Sequence, residues 1–192
     1  MLGTTQNLRQ YLRSASASAH DLLDRTMRAV AGWETQADYA RFLWLQHAAR
    51  GPVEAWLAKN APAHRHPPAQ TPLIAQDLAA LGELARIDRQ HFQSAFAQSS
   101  LEASAGVSNG AALGAAWALA GSALGNKAIL AEVRRYSRAH TDQSNKASWP
   151  ERFLADGAMI AFWKALRPQI ECPAPAHQAQ AAARAADAVF AH

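Results

Sequence analysis

Two short stretches hold residues whose types and spacing could do chemistry. In LRSASASAH, residues 12–20, Arg13 lies seven positions before His20. On a helix that is two turns less about 20°, so the two side chains share a face about 10 Å apart. The turn between them holds only the small residues Ser16 and Ala17. A histidine, a shallow bare patch and then a cation suit a flat ligand with an acidic edge: the imidazole could ligate a metal centre and the guanidinium pair with a carboxylate. Alone, such a histidine more often has a structural role at the margin of an amphipathic helix.

The second stretch is WALAGSALGNKAIL, residues 117–130. It has a helical pattern, yet Gly121 and Gly125 sit inside it and Gly114 just before it. Each interior glycine costs a helix about 1 kcal/mol relative to alanine, in a chain rich in alanine. Gly114, Ala118, Gly121 with Ser122, and Gly125 recur at three- and four-residue steps and fall on one face, with Leu113, Trp117 and Leu124 more to the other side. Such a face has two uses: close helix–helix packing, or a trough where a ligand approaches the backbone.

The elements that must position these residues are helical. Leu8, Tyr11, Leu12, Ala15, Ala19, Leu22, Leu23 and Met27 define a first helix opened near Thr5 and closed by Gly32. Thr35-x-x-Asp38 caps a second, which Gly51-Pro52 should bend or split. A loop over APAHRHPPAQTP leads to a short helix from Pro72 to Leu81, ended by Gly82, and residues 88–98 form another helical candidate. The long glycine-bearing helix is expected from Gly110 to Ser137. Ser148-x-x-Glu151 reads as a second capping box, opening one amphipathic helix from Pro150 to Ile170. An alanine-rich helix from Pro175 closes the chain. No strand pattern, hairpin dipeptide or repeat is present. The expectation is a single all-α domain over residues 1–192.

Composition narrows the class further. Nineteen Lys and Arg against 15 Asp and Glu give a net charge of +4, spread without basic runs. That pattern argues against nucleic acid and suits an anionic ligand or acidic protein partner. Residues 103–126 carry no charge and include GxxxG, but their Ala, Gly and Ser gain little from lipid, so no membrane span is expected. With no apolar leader, a cytoplasmic protein is the expectation. One cysteine, Cys172, allows neither an internal disulfide nor a thiolate metal site. His64 and His66 form an i, i+2 pair in a proline-rich loop without a third ligand in sequence.

Taken together, LRSASASAH and GSALG (residues 121–125) resemble motifs of the haem oxygenase family, in particular its bacterial, biliverdin-producing branch associated with phytochromes. The intervening DYARFL and LIAQDLAALG segments and the FL…FW C-terminal helix extend the resemblance over nearly the whole chain. It implies an all-α haem-oxygenase-like fold that holds haem b, at once cofactor and substrate, between the first helix and the long helix. It implies His20 as the iron ligand, Gly121, Ser122 and Gly125 on the side where dioxygen binds, and Arg13 on one propionate. Lys164 or Arg167 would hold the other propionate, and Phe162 and Phe190 would be hydrophobic walls. The implied activity opens haem oxidatively to biliverdin, carbon monoxide and ferrous iron. Electrons would come from a donor such as ferredoxin or a reductase, and a bilin photoreceptor is a conceivable recipient of the product. Ser122 stands where many members have an acid, Ala120 where the branch commonly has glutamate, and Asn126 where a second glycine is usual. These departures bear on turnover, so a non-catalytic haem carrier of the same fold is the alternative. A helical protein using its pocket for another small molecule is a third reading, which has no use for His20 beside Arg13.

Overall fold

A computed structural model describes residues 7–30, 32–83, 109–140 and 148–191. Among them all regular structure is helical, as the composition predicts: α1 (Leu8–Val30), α2 (Gln36–Asn60), α3 (Thr71–Ala80), α4 (Asn109–His140), α5 (Arg152–Ala155), α6 (Ala158–Ile170) and α7 (Ala176–Ala191), with a 3-10 turn at Ala63–Arg65. The candidate helix at 88–98 lies outside the described residues. No described helix is long and apolar enough to cross a membrane.

Local chemistry sets most of the boundaries. Gly32 takes a positive φ of 61° and its N–H donates to Met27 O at 3.2 Å, ending α1 as a glycine cap does. The Thr35 hydroxyl accepts from Asp38 N at 3.1 Å and opens α2. Gly82, with a φ of 76°, follows α3.

Two expected boundaries are corrected. α2 is not split at Gly51-Pro52: it runs through Pro52 to Asn60, with Val53, Trp56 and Leu57 beyond the proline buried in the same core as the residues of α6 and α7. The Pro150–Ile170 segment is two helices, not one. The Asp156 carboxylate accepts from Ala158 N at 3.1 Å and Met159 N at 3.4 Å, capping a new helix after Gly157. Nor does a Ser148–Glu151 box open α5, whose cap residue Glu151 makes no side-chain capping bond. The acceptor comes from α3: fully buried Asp77 takes the N–H of Arg152 at 3.2 Å and of Phe153 at 2.9 Å. Glu151 pairs instead with Arg134 of α4.

α4 organises the molecule. Its 32 residues span about 48 Å, with a core at either end. The first half packs with α7, α6, the start of α1 and the end of α2, burying Leu113, Ala116, Leu119, Trp163 and Ala182 among others. Near its other end Val133 joins Tyr39, Phe42, Leu43, Ile74, Leu78 and Phe153 in a second core. Buried aliphatic and aromatic side chains each contribute about 1.5–3 kcal/mol, so both ends of α4 are firmly held. Between the cores α1 stands off from α4. Its first half is anchored by Leu8, Leu12 and Ser16, all buried, whereas from Ala17 to Ala29 its residues are exposed or only half-buried.

Candidate functional site

The gap between α1 and α4 is a cleft of about 800 Å³, within the range of sites that enclose a large organic ligand. One wall is α1, which presents Arg13, Ala17, His20, Leu23, Asp24 and Met27. The facing wall is α4, which presents Trp117, Ala118, Gly121, Ser122, Gly125 and Asn126. Gln46 and Arg50 of α2 line it from a third side, Phe190 and Trp163 contribute at one end, and Arg28 and Trp33 at the other.

His20 is held from two directions. Its Nδ1 lies 3.3 Å from Asp24 Oδ2, one turn on, and its ring meets Phe190 edge-on at 5.5 Å. Phe190 in turn meets Trp117 edge-on at 6.2 Å, linking α1, α7 and α4 through three rings. The Asp24 contact leaves Nε2 as the ring nitrogen available to a ligand, and a carboxylate on the remote nitrogen is the usual way of orienting a metal-binding imidazole. His20 keeps 52% side-chain exposure, so it is open to a ligand.

The glycines of α4 divide into two kinds. A Cβ on Gly114 would overlap the carbonyl of Ala182, and one on Gly110 would lie 2.6 Å from Gln178 O, so these two let α4 and α7 touch backbone to backbone. A Cβ on Gly121 or Gly125 would meet no atom within 4 Å. Helix packing therefore accounts for Gly110 and Gly114 and leaves Gly121 and Gly125 without such a reason. These two are the ones on the cleft wall.

At the other end, Trp33 Nε1 donates to Glu132 Oε2 at 2.6 Å, and Arg28 lies over the Trp33 ring at 5.2 Å. This group ties α1 and the α1–α2 connection to α4. On the α2 side, Arg50 is 4% exposed. Its Nε donates to Gln46 Oε1 at 3.0 Å and its Nη2 to Ser122 Oγ at 2.6 Å. The Ser122 hydroxyl in turn donates to Leu119 O at 2.7 Å. Burial pushes the Arg50 guanidinium down to about 10, partly opposed by Glu54, so it remains a cation at neutral pH. The charged residues on the cleft are Arg9, Arg13, Arg28 and Arg50 against Asp21 and Asp24. Arg9 pairs with Glu171 at 3.1 Å and Arg28 lies 3.8 Å from Glu132, so Arg13 and Arg50 are the cations that complement an anionic ligand edge.

The structure thus brings together His20, Arg13, Gly121, Ser122, Gly125 and Phe190 on one cleft. Phe162, Lys164 and Arg167 do not line it. On α6 the buried face is Met159, Trp163, Leu166 and Ile170; Trp163 reaches the cleft, and Lys164, one residue on, is rotated about 100° away. Arg167 is exposed and bonds Glu171 at 2.8 Å and 3.0 Å, an acid that Arg9 also contacts at 3.1 Å. Phe162 packs against the core of α1, α4 and α7. Comparison of the chain with protein-family models, with curated proteins and with solved structures finds no match.

Arg50 escaped the sequence reading, and Gln46 entered it only as a member of an apolar stripe, although a signal was present. The apolar stripe Phe42, Leu43, Gln46, Val53, Trp56 includes position 50 at helical spacing, so an arginine there interrupts a face that should be buried. Trp33, just beyond α1, had no such signal. Elsewhere, His66 Nε2 contacts Ala61 O at 2.7 Å while His64 is exposed, and burial lowers the pKa of half-buried His47. Among the described residues no group of three His, Cys, Asp or Glu could hold a metal ion.

Proposed function

We propose that the chain binds haem b in the α1–α4 cleft and opens it as a haem oxygenase, to biliverdin, carbon monoxide and ferrous iron. One observation carries the reading: His20 and the two glycines that no helix packing requires face the same cleft. The donor set fits haem. A lone histidine cannot hold a bare ion, but it suits iron whose equatorial positions a macrocycle fills. The open space over Gly121 and Gly125 admits a flat ring against the α4 backbone.

When bound, haem supplies the reactive centre for oxidation by dioxygen and external electrons; the chain supplies position and surroundings. His20 would hold the iron through Nε2, with Asp24, 3.3 Å from Nδ1, orienting the imidazole. Leu23, Met27, Trp117 and Phe190 give the cleft an apolar lining that would exclude water around the bound group. Arg13 would pair with a propionate at the rim, and the net charge of +4 suits an acidic electron donor such as ferredoxin or a reductase. Product release would serve iron supply or a bilin photoreceptor. This reading is of a cytoplasmic protein.

Haemin added to the purified protein should give a Soret shift that His20→Ala loses, and no shift in the wild type would overturn the reading. One observation favours the non-catalytic haem carrier as a second reading. The cleft-facing residues of α4 include no carboxylate, and the Ser122 hydroxyl is already engaged by Arg50 and Leu119. Reductant in air separates the two, since an oxygenase converts the Soret band into a biliverdin spectrum and a carrier does not.

A further inference from the structure

Arg50 is a buried cation on the cleft with no matching anion among the described residues. A guanidinium carries five N–H donors. The Nε donor goes to Gln46 and one on Nη2 to Ser122, while Nη1, buried, has no partner among the described residues. Arg50 makes no ion pair with a described residue. The acid that acts on it electrostatically is Glu54, whose carboxylate is committed to the start of α3: it accepts from Gln70 N at 2.8 Å and from the Thr71 hydroxyl at 2.5 Å. The other face of the guanidinium lies against the Phe153 ring, its central carbon 5.0 Å from the ring centroid. Both acceptors that hold Arg50 are neutral, and desolvation of an unpaired charge is strongly unfavourable. For stability alone a hydrophobic residue would serve better at this position.

We infer that Arg50 is an anion-recognition residue, and that the cleft takes a planar oxyanion, a carboxylate or an inorganic ion of the same shape, against this guanidinium. Two features select that class. The bonds that Arg50 donates to Gln46 and Ser122, with the Phe153 ring against its central carbon, hold the guanidinium in place in advance, and a held planar fork matches a planar oxyanion better than a spherical ion. Ser122 and Gln46 also keep the side chain at the cleft rather than free to swing out. The inference rests on the burial and bonding of Arg50 and needs no haem, so it stands or falls separately from the proposed function.

The test uses the protein without haem, melted in a zwitterionic buffer with increasing sodium formate, nitrate or bromide, beside Arg50→Met and Arg50→Lys. General salt effects are common to all three proteins, so the difference from the variants reports the site. Formate and nitrate should raise the wild-type Tm saturably, by about 5–10 °C at one hundred times Kd, and should not do so in Arg50→Met. Arg50→Lys keeps the charge without the fork and serves if Arg50→Met does not fold; it should lose the preference for formate and nitrate over bromide. A formate response without a nitrate response would identify a carboxylate as the group recognised, and a response to both identifies the planar shape as sufficient. Equal shifts in wild type and variants, or a bromide response equal to that of formate, would overturn the inference. Side-chain NMR of the wild type gives a second measure: the Arg50 Nε–H resonance should move on addition of formate, and an unmoved resonance counts against the site.

Discussion

Substituting alanine at the four α4 glycines one by one separates packing from cleft. Gly121→Ala and Gly125→Ala each add a methyl group that meets no atom within 4 Å. Each should therefore stabilise the fold by the helix-propensity difference, about 1 kcal/mol. The double variant should gain about 2 kcal/mol, or about 4–8 °C in Tm for a chain of this size. Gly114→Ala should do the opposite. Its methyl overlaps the Ala182 carbonyl, so the α4 and α7 backbones must separate. Overpacking of that kind costs about 1–3 kcal/mol or more, enough to outweigh the propensity gain. Gly110→Ala should follow Gly114→Ala, since its Cβ would lie 2.6 Å from Gln178 O and 3.1 Å from the Ala181 Cβ. Thermal melts followed by far-ultraviolet circular dichroism measure all four. If Gly121→Ala and Gly125→Ala lowered Tm as Gly114→Ala does, the distinction between the two kinds of glycine would be wrong. A haemin titration adds the functional half. Gly121→Leu should be folded and as stable as the wild type yet bind haemin at least tenfold more weakly, and unchanged affinity would remove Gly121 from the site.

Asp24→Asn should bind haemin with an altered Soret position while His20→Ala loses binding, because Asp24 orients the ring and His20 ligates; identical behaviour of the two variants would deny that division. Asp77→Ala strips the acceptor from two N–H groups at the start of α5 and should cost about 3 kcal/mol in urea denaturation. Burial raises the pKa of Asp77, with the bonds from Phe153 and Arg152 opposing, so the folded state takes up this proton at a higher pH than the unfolded state does. Its contribution to stability therefore falls as pH rises from the ordinary carboxylate value through the raised one. The stability gap between wild type and Asp77→Ala should widen in acid, and a gap that narrows would show the hydrogen bonds outweighing burial. Tyr39→Phe removes the bond from the buried phenol to Pro150 O at 2.8 Å and should cost about 1–2 kcal/mol with no change in haemin affinity, since Tyr39 lies in the second core and not on the cleft.

Short-range chemistry was legible in the sequence and long-range chemistry was not. The Thr35 cap, the Gly32 and Gly82 stops and the extent of α4 follow from residues within a turn of each boundary. The opening of α5 does not, because its capping acceptor, Asp77, lies 75 residues away on α3. The glycine face showed the same limit. Periodicity placed Gly114, Gly121 and Gly125 together, but only the position of α7 decides which of them packs and which lies open. His20 with Arg13 was visible because both sit on one helix. Arg50 bonds Ser122, 72 residues away, and escaped the sequence reading. Lys164 and Arg167 show how little rotation separates a cleft residue from a surface one: their neighbour Trp163 is on the cleft and they are not.

The backbone contact between α4 and α7 at Gly110 and Gly114 decides which wall of the cleft can yield. Two helices touching without intervening side chains have no rotamers through which to slide or tilt, so α4 cannot retreat from an arriving ligand without breaking that contact. α1 is fastened mainly at its beginning, where Leu8 N donates to Cys172 O at 3.1 Å and Leu8, Leu12 and Ser16 are buried. Its later turns, which carry His20, are joined to the body through Phe190 at one end and the Trp33–Glu132 group at the other. A ligand in the cleft would therefore meet a wall that gives way on the histidine side and a fixed one on the glycine side.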